Sequence, residues 1–401
     1  MRTFVVAALA ALTLSACQDP SGAGLGLIDE EQSDPNVRTF PLADLDTVEA
    51  QTVAIGVASA GDSDTVTRVL SGSVADPDFG DARAIAYLDF IRPTLDGDPT
   101  GSDVTEVWLE LDRTYAYGDT TATLPYDLRP IQGTWDADTD YPADTLLAVG
   151  DVLSTTSVTN ADSLKRFDVP ESWTRANADL LVGDDFVDGF EGFALQLAES
   201  FVPSPGAVFG FNTLSTTGSG LRVVITNDSE VDTVVFPLSE VFSSISTSAP
   251  AVVPSTYLPV RANTGAGIGF TVDLASVGVV PVANARVRLP FDDSFAETGS
   301  FVRPTASRAI LVGVRLDEDG EEERQGLGDF TIIDGSYVLS DPRQFSALIQ
   351  STVLNPDERF DRFEVLPATN PVSFDALPVL LPLDGSPNAP RFTLTVVGVP
   401  Q

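Results

Sequence analysis

The chain has 401 residues, 43% of them hydrophobic, with 59 Asp and Glu against 22 Lys and Arg and a formal net charge of −37. It holds no His and a single Cys, which excludes Ser-His-Asp and Cys-His catalysis, His-based metal sites and any disulfide within the chain. The hydrophobic share is too high for a disordered acidic polymer, and no run of Lys and Arg offers the counterion release that nucleic-acid binding needs.

In chain order, Arg2 gives a positive start, and Phe4 to Leu14 form an apolar run broken only by Thr13. Small residues close the segment, the layout of a secretory signal peptide over residues 1–16. The run is too short to cross a bilayer, which takes about 20 apolar residues. Leu14-Ser15-Ala16-Cys17 resembles the lipobox of bacterial lipoproteins. The resemblance implies cleavage between Ala16 and Cys17, a diacylglyceryl group on the Cys17 sulfur and acylation of the new amino terminus. The alternative is an ordinary signal peptide cut nearby, with Cys17 incidental. Residues 17–38, small, polar and acidic, read as a lipidated flexible tether. More than one acyl chain gives stable anchoring, at about 0.8 kcal/mol per buried methylene.

From Thr39 onward, short runs of alternating apolar and polar residues are separated by Gly, Pro, Asp and Asn. Such period-two runs predict strands at 52–57, 84–90, 104–111, 221–226, 231–236, 285–289, 309–314 and 392–397. The 28 Pro and 31 Gly leave little room for long helices. One helix is predicted at 342–353, with Asp341 as N-cap and Phe345, Leu348 and Ile349 on its apolar face. Helical turns are expected at 172–178 and 238–244. The chain reads as mostly β, with two β-sandwich, jelly-roll-like domains and few short helices. A Ser/Thr-rich and Pro-rich stretch between about 227 and 260 suggests domains at 39–230 and 231–401.

The acids are spread along the chain and form no block. This predicts a salt-rich milieu that screens self-repulsion, against the competing reading of an acidic patch for a basic partner. Asp76-Pro77-Asp78-Phe79-Gly80-Asp81 could present carboxylates to Ca²⁺, or be a loop of solvated acids. Asp317 to Glu323 misses the calcium-loop pattern, because position twelve is Gly328 and not Glu; a charged hairpin turn fits better. Asp184, Asp185, Asp188 and Glu191 read first as a polar loop. No cofactor is expected. Among Trp108, Trp135 and Trp173, the first sits in a strand that favours core packing. Trp135, in a Gly/Asp-rich loop, is the better candidate for ligand contact. A carboxylate pair could hydrolyse glycosides, yet with 59 acids some pair will always lie close enough.

The run from Leu70 to Gly80 carries a G-x-x-x-D-P-x-F-G pattern. It resembles a signature of outer-membrane lipoproteins of unknown function from Bacteroidetes-type Gram-negative bacteria. Ala285 to Asp292, A-R-x-x-L-P-x-D, and Ser386 to Phe392 are similar to later parts of that family. Residues 67–226, with Tyr87 to Phe90, Val107 to Leu111, Trp135, Phe167 to Pro170, Trp173 and Gly192 to Gln196, also resemble secreted jelly-roll modules of polysaccharide-active proteins. Together these imply a lipid-anchored cell-envelope protein, held at the outer membrane on its periplasmic or surface side. It would bind or scaffold a protein partner or glycan without catalysis. The alternatives are a polysaccharide-active hydrolase with a carboxylate pair and a structural subunit of an outer-membrane complex.

Overall fold

Alternation of inward apolar and outward polar residues holds in strands such as Arg391–Val396, whereas Arg68–Val74 and Gly206–Asn212 are buried on both faces. The computed structural model describes residues 36–49, 58–59, 66–136, 141–142, 144–214, 218–227, 230–250, 252, 254–291, 296–317, 319–368, 372–381 and 389–397. The signal segment, Ala16, Cys17, most of the tether and the strand expected at 52–57 lie outside the described residues.

The protein is mostly β, built on two curled antiparallel sheets that form half-barrels, as expected of sandwich domains with few short helices. The main path of the first sheet runs, in spatial order, Glu230–Phe236, Gly220–Asn227, Val104–Asp119, Gly206–Asn212, Arg68–Val74, Ala82–Phe90, Phe193–Leu197, Thr123–Pro130 and Ser154–Thr159. Leu238–Thr247 pairs with Ala82–Phe90 off that path, and Leu164–Asp168 pairs with Val104–Asp119. The second sheet runs Asn36–Pro41, Arg391–Val396, Val282–Pro290, Ser336–Leu339, Glu322–Ile333, Arg308–Leu316, Arg362–Pro367, Ala266–Thr271 and Ala43–Glu49. Sheet membership does not follow the expected 230/231 division. The strands between 230 and 247 lie in the first sheet, and those between 36 and 49 lie in the second.

Each sheet has its own core. Leu109, Leu111, Tyr126, Phe167, Phe193 and Phe209 belong to the first, Phe270, Leu311, Phe330, Phe345, Phe363 and Phe392 to the second. The helix Pro342–Leu354 forms as predicted. The Asp341 carboxylate accepts from the Arg343 and Gln344 amides, and Phe345 and Ile349 are fully buried. The turn expected at 172–178 is a helix over Glu171–Val182. The segment at 238–244 is a strand and not helical. Its register shifts between Leu238 and Val241, so a bulge puts two buried residues three apart, a spacing that imitates a helix. Among the described residues no helix is long and apolar enough to cross a membrane.

A third apolar cluster joins the first sheet to later segments of the chain. Leu70, Val74, Tyr115, Tyr117 and Val208 from the first meet Phe301, Val372 and Phe374 from the second half of the chain. At its edge the D-P-x-F-G motif acts as a lock. Both oxygens of Asp76 face Arg303, at 2.8 and 3.0 Å, and the Tyr117 hydroxyl donates to Asp76 at 2.5 Å. The Asp78 and Phe79 amides also donate to Asp76. Burial alone would raise the Asp76 pKa, but the Arg303 and Tyr117 hydrogen bonds and the Arg303 charge hold it below the usual carboxylate range. Phe79 stacks on Tyr257, with ring centroids 5.8 Å apart. Gly80 has φ +81°, and a Cβ there would run into the Ser248 carbonyl, so only glycine fits. The loop at 76–81 is therefore neither a cage of free carboxylates nor wholly a run of solvated acids.

Candidate functional site

Period two in four strands builds a polar groove on the first sheet. Arg83, Ile85 and Tyr87 lie on one face of Ala82–Phe90. Across the ladder, Ser246 stands opposite Arg83, Ser244 opposite Ile85 and Phe242 opposite Tyr87. On the other side, Ala194 pairs with both Tyr87 and Arg129, and Gln196 pairs with Asp127. The result is an outward row of Arg, Ser, Gln and Arg above an apolar floor.

Residues 131–136, 141–142 and 144–153 fold over this floor. Gln132 donates to the Ala148 carbonyl, Gly150 to the Pro130 carbonyl, and the Leu147 amide to the Tyr87 hydroxyl at 3.2 Å. Beneath it, Ile85, Tyr87, Ile131, Ala194 and Phe242 form a small buried cluster against which Trp135, Tyr141, Leu147 and Val149 pack. The hollow left between loop and sheet has a volume of ≈ 470 Å³, within the range of small-ligand sites. Arg83, Arg129, Gln196, Ser244 and Ser246 line it from the sheet, and Asp144, Glu199 and Leu146 from the rim. Leu146 is 70% exposed. Two arginines and two carboxylates give a local balance of charge in a chain whose net charge is −37. Arg129 sits 3.7 Å from Asp127 and 3.8 Å from Glu199, which fixes its guanidinium at the wall.

The three tryptophans lie in three surroundings. Trp135 is half-buried, its indole N–H donating to the Glu191 carbonyl at 3.0 Å, so it pins the loop to the sheet beside the groove. Trp173 packs on Phe190 and Phe193. Trp108 carries the Arg166 guanidinium 4.1 Å over its ring. The groove's polar residues were not singled out by the sequence, because outward positions on a strand look alike until register shows which of them meet.

Asp89 continues the Arg83 to Tyr87 row but does not line the hollow. Burial pushes its pKa up to about 7, opposed by the Phe90 amide and the Ser239 hydroxyl and helped by the charges of Glu240 and Glu191. The Asp184 carboxylate pairs with Arg92 at 3.0 Å. The stretch at 317–323 is the turn of a hairpin, in which Asp317 accepts from the Asp319 and Glu321 amides. Among the described residues no group of three or more His, Cys, Asp or Glu side chains could hold a metal ion.

No protein-family model matches the chain, and no curated protein matches it. Among solved structures, it is similar to the N-terminal tandem CBM22 domain of Xyn10C from Paenibacillus barcinonensis, at 8% identity and a TM-score of 0.15. That match covers 91% of this chain and 100% of the other.

Proposed function

We propose that this is a non-catalytic glycan-binding protein of the cell envelope, tethered by lipid on Cys17 and working in a salt-rich milieu. The observation that carries the binding reading is the groove of Arg83, Arg129, Gln196, Ser244 and Ser246 under the 131–153 loop. A sugar presents closely spaced hydroxyls that both donate and accept. Amide, hydroxyl, guanidinium and carboxylate side chains side by side match that pattern, and the balanced charge admits a neutral polymer. Leu146, Leu147 and Val149 offer apolar surface to the C–H faces of a ring. The lipobox-like Leu14 to Cys17 supports an anchor at the membrane.

The test is affinity electrophoresis of the full chain against a panel of neutral polysaccharides. At least one is expected to retard it, and Arg83→Ala combined with Gln196→Ala should weaken that binding by about tenfold or more, since each hydrogen bond lost is worth about 1 kcal/mol. Retardation that the double variant leaves unchanged would sink the assignment to this groove. Asp89 favours a second reading, a carboxylate-pair hydrolase. Release of reducing ends from a polysaccharide, abolished in Asp89→Asn, would put that reading first.

A further inference from the structure

On the outer face of the second sheet, arginines from distant parts of the sequence stand together. Arg286 and Arg288 project from Val282–Pro290, and Arg391 lies on the neighbouring Arg391–Val396 strand. In register, Thr39, Thr393 and Arg286 form one rung, and Arg391, Arg288 and Val338 the next. Arg343, in the first turn of Pro342–Leu354, stands beyond Arg286. Two neighbouring hollows of ≈ 450 and ≈ 490 Å³, both lined by Arg286, groove this face. These are the arginines of the A-R-x-x-L-P-x-D run and of the Pro390-Arg391-Phe392 ending, which neither fold nor first groove uses.

Their company is unusual for this chain. Elsewhere in the same sheet Arg308, Arg315, Arg324 and Arg362 all pair with acids. Among the described residues, none of Arg286, Arg288, Arg343 and Arg391 has a carboxylate within ion-pair distance. Arg288 donates from Nε to the Ser336 hydroxyl at 3.0 Å, which orients the guanidinium. Among the described residues that line the two hollows, Asp334 is the one acid. Arg288 and Arg391 are direct cross-strand neighbours, a like-charge pairing that costs stability. With 59 acids to draw on, folding alone does not call for it. Between the arginines the walls offer Thr39, Thr393, Asn284 and Gln350. The Gln350 amide nitrogen is buried with no acceptor among the described residues, while its oxygen accepts from the Val282 amide.

We infer that this groove is a second binding site, for a polysaccharide carrying carboxylates along its chain. Guanidinium forks take carboxylates in two parallel hydrogen bonds. Their spacing along a groove with hydroxyl and amide groups between them fits an acidic sugar polymer better than a single small anion. The site is independent of the groove on the first sheet and stands or falls separately from it.

The experiment titrates the full chain with polygalacturonate, with its fully methyl-esterified form as the uncharged control, and with inorganic phosphate and phosphatidylglycerol vesicles. Polygalacturonate should bind, and the ester should bind at least about tenfold more weakly. Arg288→Gln with Arg391→Gln should cost about tenfold or more, the scale of one lost charge-assisted contact. That double variant should still unfold in one cooperative transition; loss of cooperative unfolding would mark the arginines as structural and overturn the proposal. Arg343→Gln, on an exposed helix position, supplies a second binding variant whose folding is not in question. Equal binding of the ester, binding untouched by both variants, phosphate binding without polymer binding, or vesicle binding that the arginine variants weaken more than they weaken polymer binding would each overturn the assignment. Arg83→Ala with Gln196→Ala should leave polygalacturonate binding unchanged, which separates this site from the first.

Discussion

Asp76 and Asp89 are both acids drawn into the fold, and they show how partners decide what burial does. Asp76 meets Arg303 and Tyr117 and stays ionised. Asp89 finds one hydroxyl and two neighbouring negative charges, and one of its oxygens is buried without a partner. Its folded pKa of about 7 lies above the unfolded value. The folded state therefore holds the proton more tightly, and stability falls as pH rises through the interval between about 4 and about 7. Asp89→Asn should remove that part of the slope. Urea unfolding of both proteins at pH 5 and pH 8 checks this: the parent should lose more stability between the two than the variant, by about 1 kcal/mol or more. Parallel losses would mean that Asp89 is ionised throughout. The same measurement bears on the hydrolase reading, which needs this carboxyl protonated near neutrality.

At the scale of elements, the helix Pro342–Leu354 does more than cover the core. Val282–Pro290 pairs with Ser336–Leu339 only from Arg288 to Pro290, which leaves its earlier amides without a strand partner on that edge. The helix supplies acceptors: Ser346 Oγ takes the Ala285 amide at 2.9 Å, and Gln350 Oε1 takes the Val282 amide. A sheet edge is thus closed by side chains, which leaves no template for another strand. Asp341 starts this helix, so Asp341→Ala should cost about 1 kcal/mol, read as a lower urea midpoint with an unchanged slope. The cap was legible in the sequence as Asp-Pro ahead of an apolar periodicity. The Leu238 to Ser244 strand was not, because its bulge produces the three-residue spacing that a helix would show.

For the whole molecule, the junction that ties Asp76 to Arg303, far along the chain, is the decisive feature. It holds a charged pair nearly out of water, Arg303 being 3% exposed and Asp76 2%. Removing Asp76 leaves the buried Arg303 guanidinium with only the half-exposed Asp78, 2.9 Å away, a loss of about 3 kcal/mol. Asp76→Asn should therefore destabilise the protein by that amount. Calorimetry checks this; a transition at the parent temperature would refute the lock. The contribution of Asp76 is full at neutral pH and lost as pH falls from about 4 toward its lowered folded value. Arg261, 2% exposed, lies over the rings of Tyr117 and Phe374 in the same junction, so aromatic faces bear part of the charge that brings the halves together.

By itself the sequence determined the fold class, most strand positions and the principal helix, because alternation, Gly and Pro punctuation and capping are local properties. It also marked Gly72 to Gly80 as a motif without revealing its work. That motif is a lock only because Arg303, 227 residues beyond Asp76, folds back onto it. Both grooves depend on register in the same way: Arg83 meets Ser246, and Arg288 meets Arg391, through pairings between strands far apart in the chain. Side chains on the outward face of a strand carry no local sign of their neighbours. Tertiary structure alone decides whether such a residue faces water or the wall of a binding site.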